Sequence, residues 1–293
     1  MRSCPCPDDA FLHREVEANG VRLHVAEAGT GPLVLLLHGF PEFWYAWRHQ
    51  LPALAAAGFR AVAPDLRGYN LSEKPPGIAS YAVEKLAADV AALVTALGEE
   101  SAFVVGHDWG GALAWYLPLL HPGRVRRLAI LNAPHPAAFR RELKRSAAQR
   151  KRSSYILFFQ LPWLPERAIR KDDFGQLAKM LRRDPVRAGA FSADDVARYQ
   201  EALSRPGALT AALNWYRAAL RHPPRLPRER RTIDVPTLVV WGGKDRYLGP
   251  ALAEGLERWV PDLVVERLPD ASHWVPADAP ERVNELLIRF FRA

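Results

Sequence analysis

The chain has 293 residues, 49% hydrophobic and 25% charged, a balance that argues against a disordered polypeptide. No apolar run reaches the roughly 18 residues of a membrane span, and residues 1–20 hold no stretch of signal-peptide type, so a cytoplasmic protein without a membrane span is expected. The formal net charge of +8 comes mostly from arginines in Phe139–Arg152 and Arg217–Arg231, read as solvated helix faces because no nucleic-acid motif accompanies them, and no specific nucleic-acid partner is expected.

At this length one large α/β domain with an inserted subdomain is expected rather than two equal domains. Cys4 and Cys6, separated by one residue in a Pro-rich tail, are too close for an ordinary structural disulfide and read as tail residues. Val21–Glu27 alternates like a half-exposed strand, whereas Leu33–Leu37 is continuously apolar, the pattern of a parallel strand buried on both faces. Further strands are expected at Arg60–Pro64, Ala102–Val105, Leu128–Leu131, Thr237–Trp241 and Leu263–Leu268. Val83–Leu97 and Gly110–Leu120 have helical spacing, so helix follows strand in the βαβ rhythm. Between Pro136 and Arg231 the rhythm changes to helical segments with prolines, arginines and aromatics, the composition of a helical lid packed over the sheet. Near the end, Asp278 with Glu281 three residues on predicts a capped final helix. The expected organisation is therefore core 1–135, helical cap 136–231 and core 232–293.

Gly106-His107-Asp108-Trp109-Gly110 joins an expected strand directly to an expected helix. Glycines on either side suit a strained turn that lifts the central side chain above the sheet edge, a nucleophile elbow. Here that side chain is a carboxylate. Already ionised at neutral pH, Asp108 needs no base before attacking a saturated carbon to form an ester. Hydrolysis of that ester needs a general base, and His273 in the loop before the final helix suits the task. Asp245, just past the strand Thr237–Trp241, completes the order nucleophile, acid, histidine and would fix the imidazole tautomer. His38-Gly39-Phe40-Pro41 follows the central strand, and the backbone amides of Phe40 and Trp109 are the candidate oxyanion hole. His38 and His107 read as structural.

These motifs, with Glu42 after Pro41, Asp65-Leu66-Arg67-Gly68-Tyr69 and His273-Trp274, make the chain resemble the epoxide hydrolases of the α/β-hydrolase superfamily, from about Phe11 onward. The resemblance implies a mostly parallel sheet flanked by helices, an inserted helical cap and an Asp-His-Asp triad. It also implies two lid tyrosines that grip the epoxide oxygen and supply a proton, and Tyr155 and Tyr216 stand where the motifs place them. Substrate contacts are expected from Phe40, Trp109, Tyr155, Tyr216 and Trp274, a set that with Phe158 suits a small apolar epoxide. No metal or organic cofactor is expected.

Haloalkane and haloacid dehalogenases share the aspartate and histidine and form the alternative reading. Haloalkane dehalogenases usually carry Asn or Glu where this chain has Phe40, and haloacetate dehalogenases usually carry Arg where it has Trp109. Two phenols also favour an alkoxide leaving group, which needs a proton, over a halide, which does not. A ligand receptor without turnover is the third reading, disfavoured by the intact triad.

Overall fold

A strand without a polar face must be covered on both sides. Leu33–Leu37 accordingly lies inside an eight-stranded sheet with every side chain fully buried. The computed structural model describes residues 11–226 and 232–293; Cys4, Cys6 and the arginines at 228, 230 and 231 lie outside the described residues. The strands are β1 (Leu12–Ala18), β2 (Val21–Ala28), β3 (Leu33–Leu37), β4 (Arg60–Pro64), β5 (Ala102–His107), β6 (Val125–Leu131), β7 (Thr237–Gly242) and β8 (Leu263–Leu268), in spatial order β1-β2-β4-β3-β5-β6-β7-β8. From β4 to β8 neighbours pair in parallel, while β2 pairs antiparallel with both β1 and β4.

Helices α1 (Gln50–Ala56), α2 (Val83–Ala96) and α3 (Asp108–Leu120) follow β3, β4 and β5. After β6 the chain forms α4 (Pro136–Arg145), α5 (Ala147–Arg152), α6 (Tyr155–Phe158), α7 (Leu164–Arg183), α8 (Ala193–Ser204) and α9 (Ala208–Arg221) before returning as β7. α7 breaks at Lys171–Phe174, where Asp172, Asp173 and Phe174 are left-handed. The short α10 (Val275–Asp278) and the amphipathic α11 (Pro280–Arg292) end the chain. Among the described residues no helix is long and apolar enough to cross a membrane.

Side chains of the α4–α9 segment bond to loops beyond the carboxyl ends of the parallel strands. Trp215 Nε1 donates to the Arg67 carbonyl (3.1 Å) after β4, and Arg152 to the Asp245 carbonyl (2.8 Å) after β7. That edge of the sheet is where ligands bind in open α/β folds.

Four expectations are corrected. β2 is not half-exposed: His24 is buried against Asp65 (2.7 Å), and Glu27 bonds Arg14 (2.9 Å) and Arg60 (2.5 Å), leaving Arg22 and the final Ala28 as the residues not buried. β1 was not expected at all; its polar run buries only Val16 and Ala18 at the sheet edge. Asp278 does not cap the last helix, whose N-cap is Ala279 without a side-chain bond. Its carboxylate instead accepts the N–H groups of Ser272 (2.7 Å), Val186 (2.8 Å) and Arg187 (3.0 Å), joining the loop after β8 to the segment after α7. The arginine stripes, finally, are not simply solvated. Arg141 donates to the carbonyls of Ala251 and Glu254 (both 2.9 Å). Arg217, only 5% exposed, donates to Glu166 (2.8 and 3.1 Å) and to the Phe159 (3.0 Å) and Leu161 (2.7 Å) carbonyls.

Deleting the Arg217 guanidinium takes the cation from a partly buried Glu166 and leaves the Phe159 and Leu161 carbonyls without their donor. Arg217→Met is expected to lower the unfolding free energy by about 3 kcal/mol, read from urea denaturation; a loss below about 1 kcal/mol would mean the pair is no stronger than a surface ion pair.

Candidate active site

Asp108 follows the last residue of β5 and begins α3 with φ of +49°, a left-handed geometry that a non-glycine residue holds only where its surroundings enforce it. Close backbone approach supplies the enforcement. A Cβ on Gly110 would lie 2.1 Å from the Leu37 carbonyl oxygen, and one on Gly106 would lie 2.5 Å from that of Gly110. On the facing loop, a Cβ on Gly39 would come within 2.4 Å of the Asp108 Cβ.

Both Asp108 oxygens have neighbours. The Phe40 N–H donates to Oδ1 at 2.8 Å, and His273 Nε2 lies 3.5 Å from Oδ2. Trp109 is in the first turn of α3, so its N–H has no acceptor within the helix. Burial would push the Asp108 carboxyl up; the hydrogen bond and charge of His273, the charge of His107 and the Phe40 N–H outweigh it and hold the group below the usual carboxylate range. An ionised carboxylate is thereby kept in a buried place.

His273 Nδ1 donates to Asp245 Oδ2 at 2.7 Å, which leaves Nε2 towards Asp108. Burial pushes the imidazole down, but the charges of Asp245 and Asp108, with hydrogen bonds to both, raise it well above its ordinary value. Asp245 is saturated with donors: Asn132 Nδ2 (2.7 Å), Tyr247 N–H (2.7 Å) and Leu248 N–H (2.9 Å). Its burial raises the carboxyl, and His273, Asn132 and the Leu248 N–H together bring it below its usual value.

Tyr155 from α6 and Tyr216 from α9 face each other, ring centroids 6.0 Å apart at 75°. Burial raises both phenols: for Tyr155 the Asp108 and Asp245 charges add to it, and for Tyr216 Tyr155 and Asp108 do. Both hydroxyls are held neutral, as proton donors. A cavity of about 520 Å³ is lined by Phe40, Asp108, Tyr155, Tyr216, His273 and Trp274. A second, of about 350 Å³ and more apolar, is lined by Asp108, Trp109, Tyr155, Trp215 and Tyr216. The two share Asp108 and the tyrosine pair, so seven of the eight expected site residues border one composite space, and Asp245 stands behind His273 without lining it. A larger surface groove of about 850 Å³, beside Arg48 and His49, contains none of them.

Three supports escaped the sequence reading. Asn132, left-handed at φ +40°, donates to Asp245 and accepts the Gly242 N–H (2.8 Å). One Glu42 oxygen accepts the Gly39 N–H (3.0 Å) and pairs with His107 Nδ1 (2.8 Å), while His107 Nε2 donates to the His273 carbonyl (2.9 Å). Glu42 thus links the loop carrying the Phe40 amide to the loop carrying the base. Tyr247, whose hydroxyl donates to Asp184, packs its ring 5.3 Å from His273 and lines the larger cavity. His38 holds its loop as expected, donating from Nδ1 to Gly39 O (2.9 Å) and accepting the Leu66 N–H at Nε2 (3.0 Å).

The family model described as alpha/beta hydrolase fold matches residues 32–280. AB hydrolase superfamily protein YfhM of Bacillus subtilis is 44% identical over 94% of this chain and 96% of its own length. Epoxide hydrolase 4 of Mus musculus is 36% identical over 94% of this chain and 78% of its own. Among solved structures, an epoxide hydrolase of Bacillus megaterium in complex with an inhibitor superposes with a TM-score of 0.89 at 36% identity, covering 96% of this chain and all of that one.

Because two carboxylates raise the His273 imidazole, neutralising one must lower it. In Asp108→Asn the imidazole is expected to titrate at lower pH than in the parent, as read by NMR of the His273 ring; an unmoved midpoint would show that Asp108 does not govern the histidine's charge.

Proposed function

The chain belongs to the epoxide hydrolases of the α/β-hydrolase superfamily, and from that premise we propose that it converts an apolar epoxide to a vicinal diol through an ester on Asp108. The observation that supports this reading is the pairing of a buried ionised carboxylate with two neutral phenols around one space. An alkoxide leaves badly until it is protonated, and the two tyrosines supply that proton beside the nucleophile.

In this mechanism the helical segment α4–α9 is a lid, and substrate binds between it and the sheet. Tyr155 and Tyr216 hold the ring oxygen while Asp108 Oδ2, the oxygen not engaged by Phe40, attacks a ring carbon from the opposite side. The carbon–oxygen bond breaks, its electron pair stays on oxygen, and a phenol delivers the proton. Phe40, Trp109 and Trp274 present apolar surface to the substrate.

Ester formation removes the Asp108 charge and its hydrogen bond, two of the influences that raise the His273 imidazole. The histidine is therefore more readily available as a free base once the ester exists than before. Oriented by Asp245, His273 takes a proton from water as the oxygen adds to the Asp108 carbonyl carbon. The oxyanion then rests on the Phe40 and Trp109 N–H groups. Collapse expels the diol oxygen, which takes the proton held by His273, and the proton left on the Asp108 carboxyl passes by way of His273 to the phenolate formed at ring opening, restoring carboxylate and phenol.

A single turnover in heavy-oxygen water should leave label in the Asp108 side chain, read by peptide mass analysis; label confined to the diol would exclude the ester route. His273→Gln should trap the ester by slowing its hydrolysis about 10²-fold or more. Changing Tyr155 and Tyr216 together to Phe should slow ester formation by about 10²-fold, with each single change much milder because one phenol remains. Equal stopped-flow rates for parent and double variant would remove the reason for assigning an epoxide.

A further inference from the structure

The segment from α6 into α7 turns apolar side chains outward: Leu157 is 69% and Trp163 71% exposed, and Phe158, Leu161 and Leu164 are exposed between and beside them. The strip is firmly seated. Phe159 and Pro165 beneath it are buried, and Arg217 holds the Phe159 and Leu161 carbonyls. An exposed apolar patch on a well-packed segment marks an interaction surface.

Its surroundings are cationic. Residues 136–231 carry 22 Lys and Arg against 9 Asp and Glu, a formal +13, whereas the rest of the chain carries −5. Arg170 and Arg221 border the same depression as Trp163, and Lys179, Arg183 and Arg246 border the cavity that Phe158 lines. Glu166 is engaged by Arg217 and Asp184 by Arg246; Asp172 and Asp173 at the break in α7 remain as acidic neighbours.

We propose that this strip docks on an anionic lipid surface, Trp163 and the leucines entering the acyl boundary and the surrounding arginines and lysines meeting the headgroups. Tryptophan and leucine ringed by basic residues is the chemistry of a protein lying on such a surface. A second copy fits less well, since a symmetric pairing sets +13 against +13. A nucleic acid uses the charge and leaves the leucines without a partner. Docking also faces the Phe158 side of the larger cavity towards the lipid. The assignment stands apart from the ester mechanism.

The test is co-sedimentation of the full chain with vesicles of equimolar phosphatidylglycerol and phosphatidylcholine, and with phosphatidylcholine alone. Binding is expected to the anionic vesicles only and to weaken at high ionic strength. Leu157→Ser with Trp163→Ser should weaken it about tenfold or more while the thermal unfolding midpoint stays within a few degrees, and Arg170→Glu should weaken it too. Absence of vesicle binding, equal binding to both compositions, or full binding by the Leu157/Trp163 variant overturns the proposal. So does a parent dimer in sedimentation velocity that this variant dissolves, or duplex DNA bound more tightly than the vesicles.

Discussion

A carboxylate out of water must be compensated or it takes up a proton, and the centre of this molecule is an arrangement that prevents the latter. Asp108 is buried and ionised because a backbone N–H, an imidazole and a second buried carboxylate behind that imidazole form one hydrogen-bonded line. Every support is anchored on a different strand end. Phe40 follows β3, Asp108 ends the turn from β5, Asn132 follows β6, Asp245 follows β7 and His273 follows β8. The parallel sheet matters here because it delivers five chain segments to one edge at fixed spacing.

The same line sets the sequence of events proposed for the reaction. With its negative neighbours present, His273 holds a proton readily; when Asp108 becomes an ester, that reason weakens and the nitrogen is released for work on water. In the proposed mechanism the raised imidazole and the lowered carboxyl thus keep nucleophile and base from competing for one proton. Burial has the opposite consequence for the phenols, which it keeps neutral at neutral pH, where the carboxylate is charged.

Much of this was legible in the residues. Apolar runs located β3 and β4 to the residue, and the glycine spacing about Asp108 located the turn, because both patterns follow from local sterics and burial; β8 was located as well, although Glu266 and Arg267 interrupt its run and none of its residues is buried. Tyr155 and Tyr216 were legible only through family resemblance, since a lid aromatic has no periodic signature. β1 escaped because its run is mostly polar, although Asn19-Gly20, both left-handed (φ 52° and 72°), is the two-residue turn that should have disclosed a hairpin. Glu42, Asn132 and Asp278 escaped for a different reason. Each bonds groups distant in the chain, and no local pattern says which backbone amide a lone carboxylate or carboxamide will find.

Asp278 and Asp245 also impose an order on biosynthesis. The segment α4–α9 emerges from the ribosome before β7 and β8, yet its bonds to Asp245, Tyr247 and Asp278 run to residues translated after it. Until residues 232–293 have been made, those helices have no carboxyl-terminal half of the sheet to settle on. A nascent chain stalled at that point leaves uncovered the apolar undersurface that β7 and β8 help to conceal, the kind of exposure that favours aggregation.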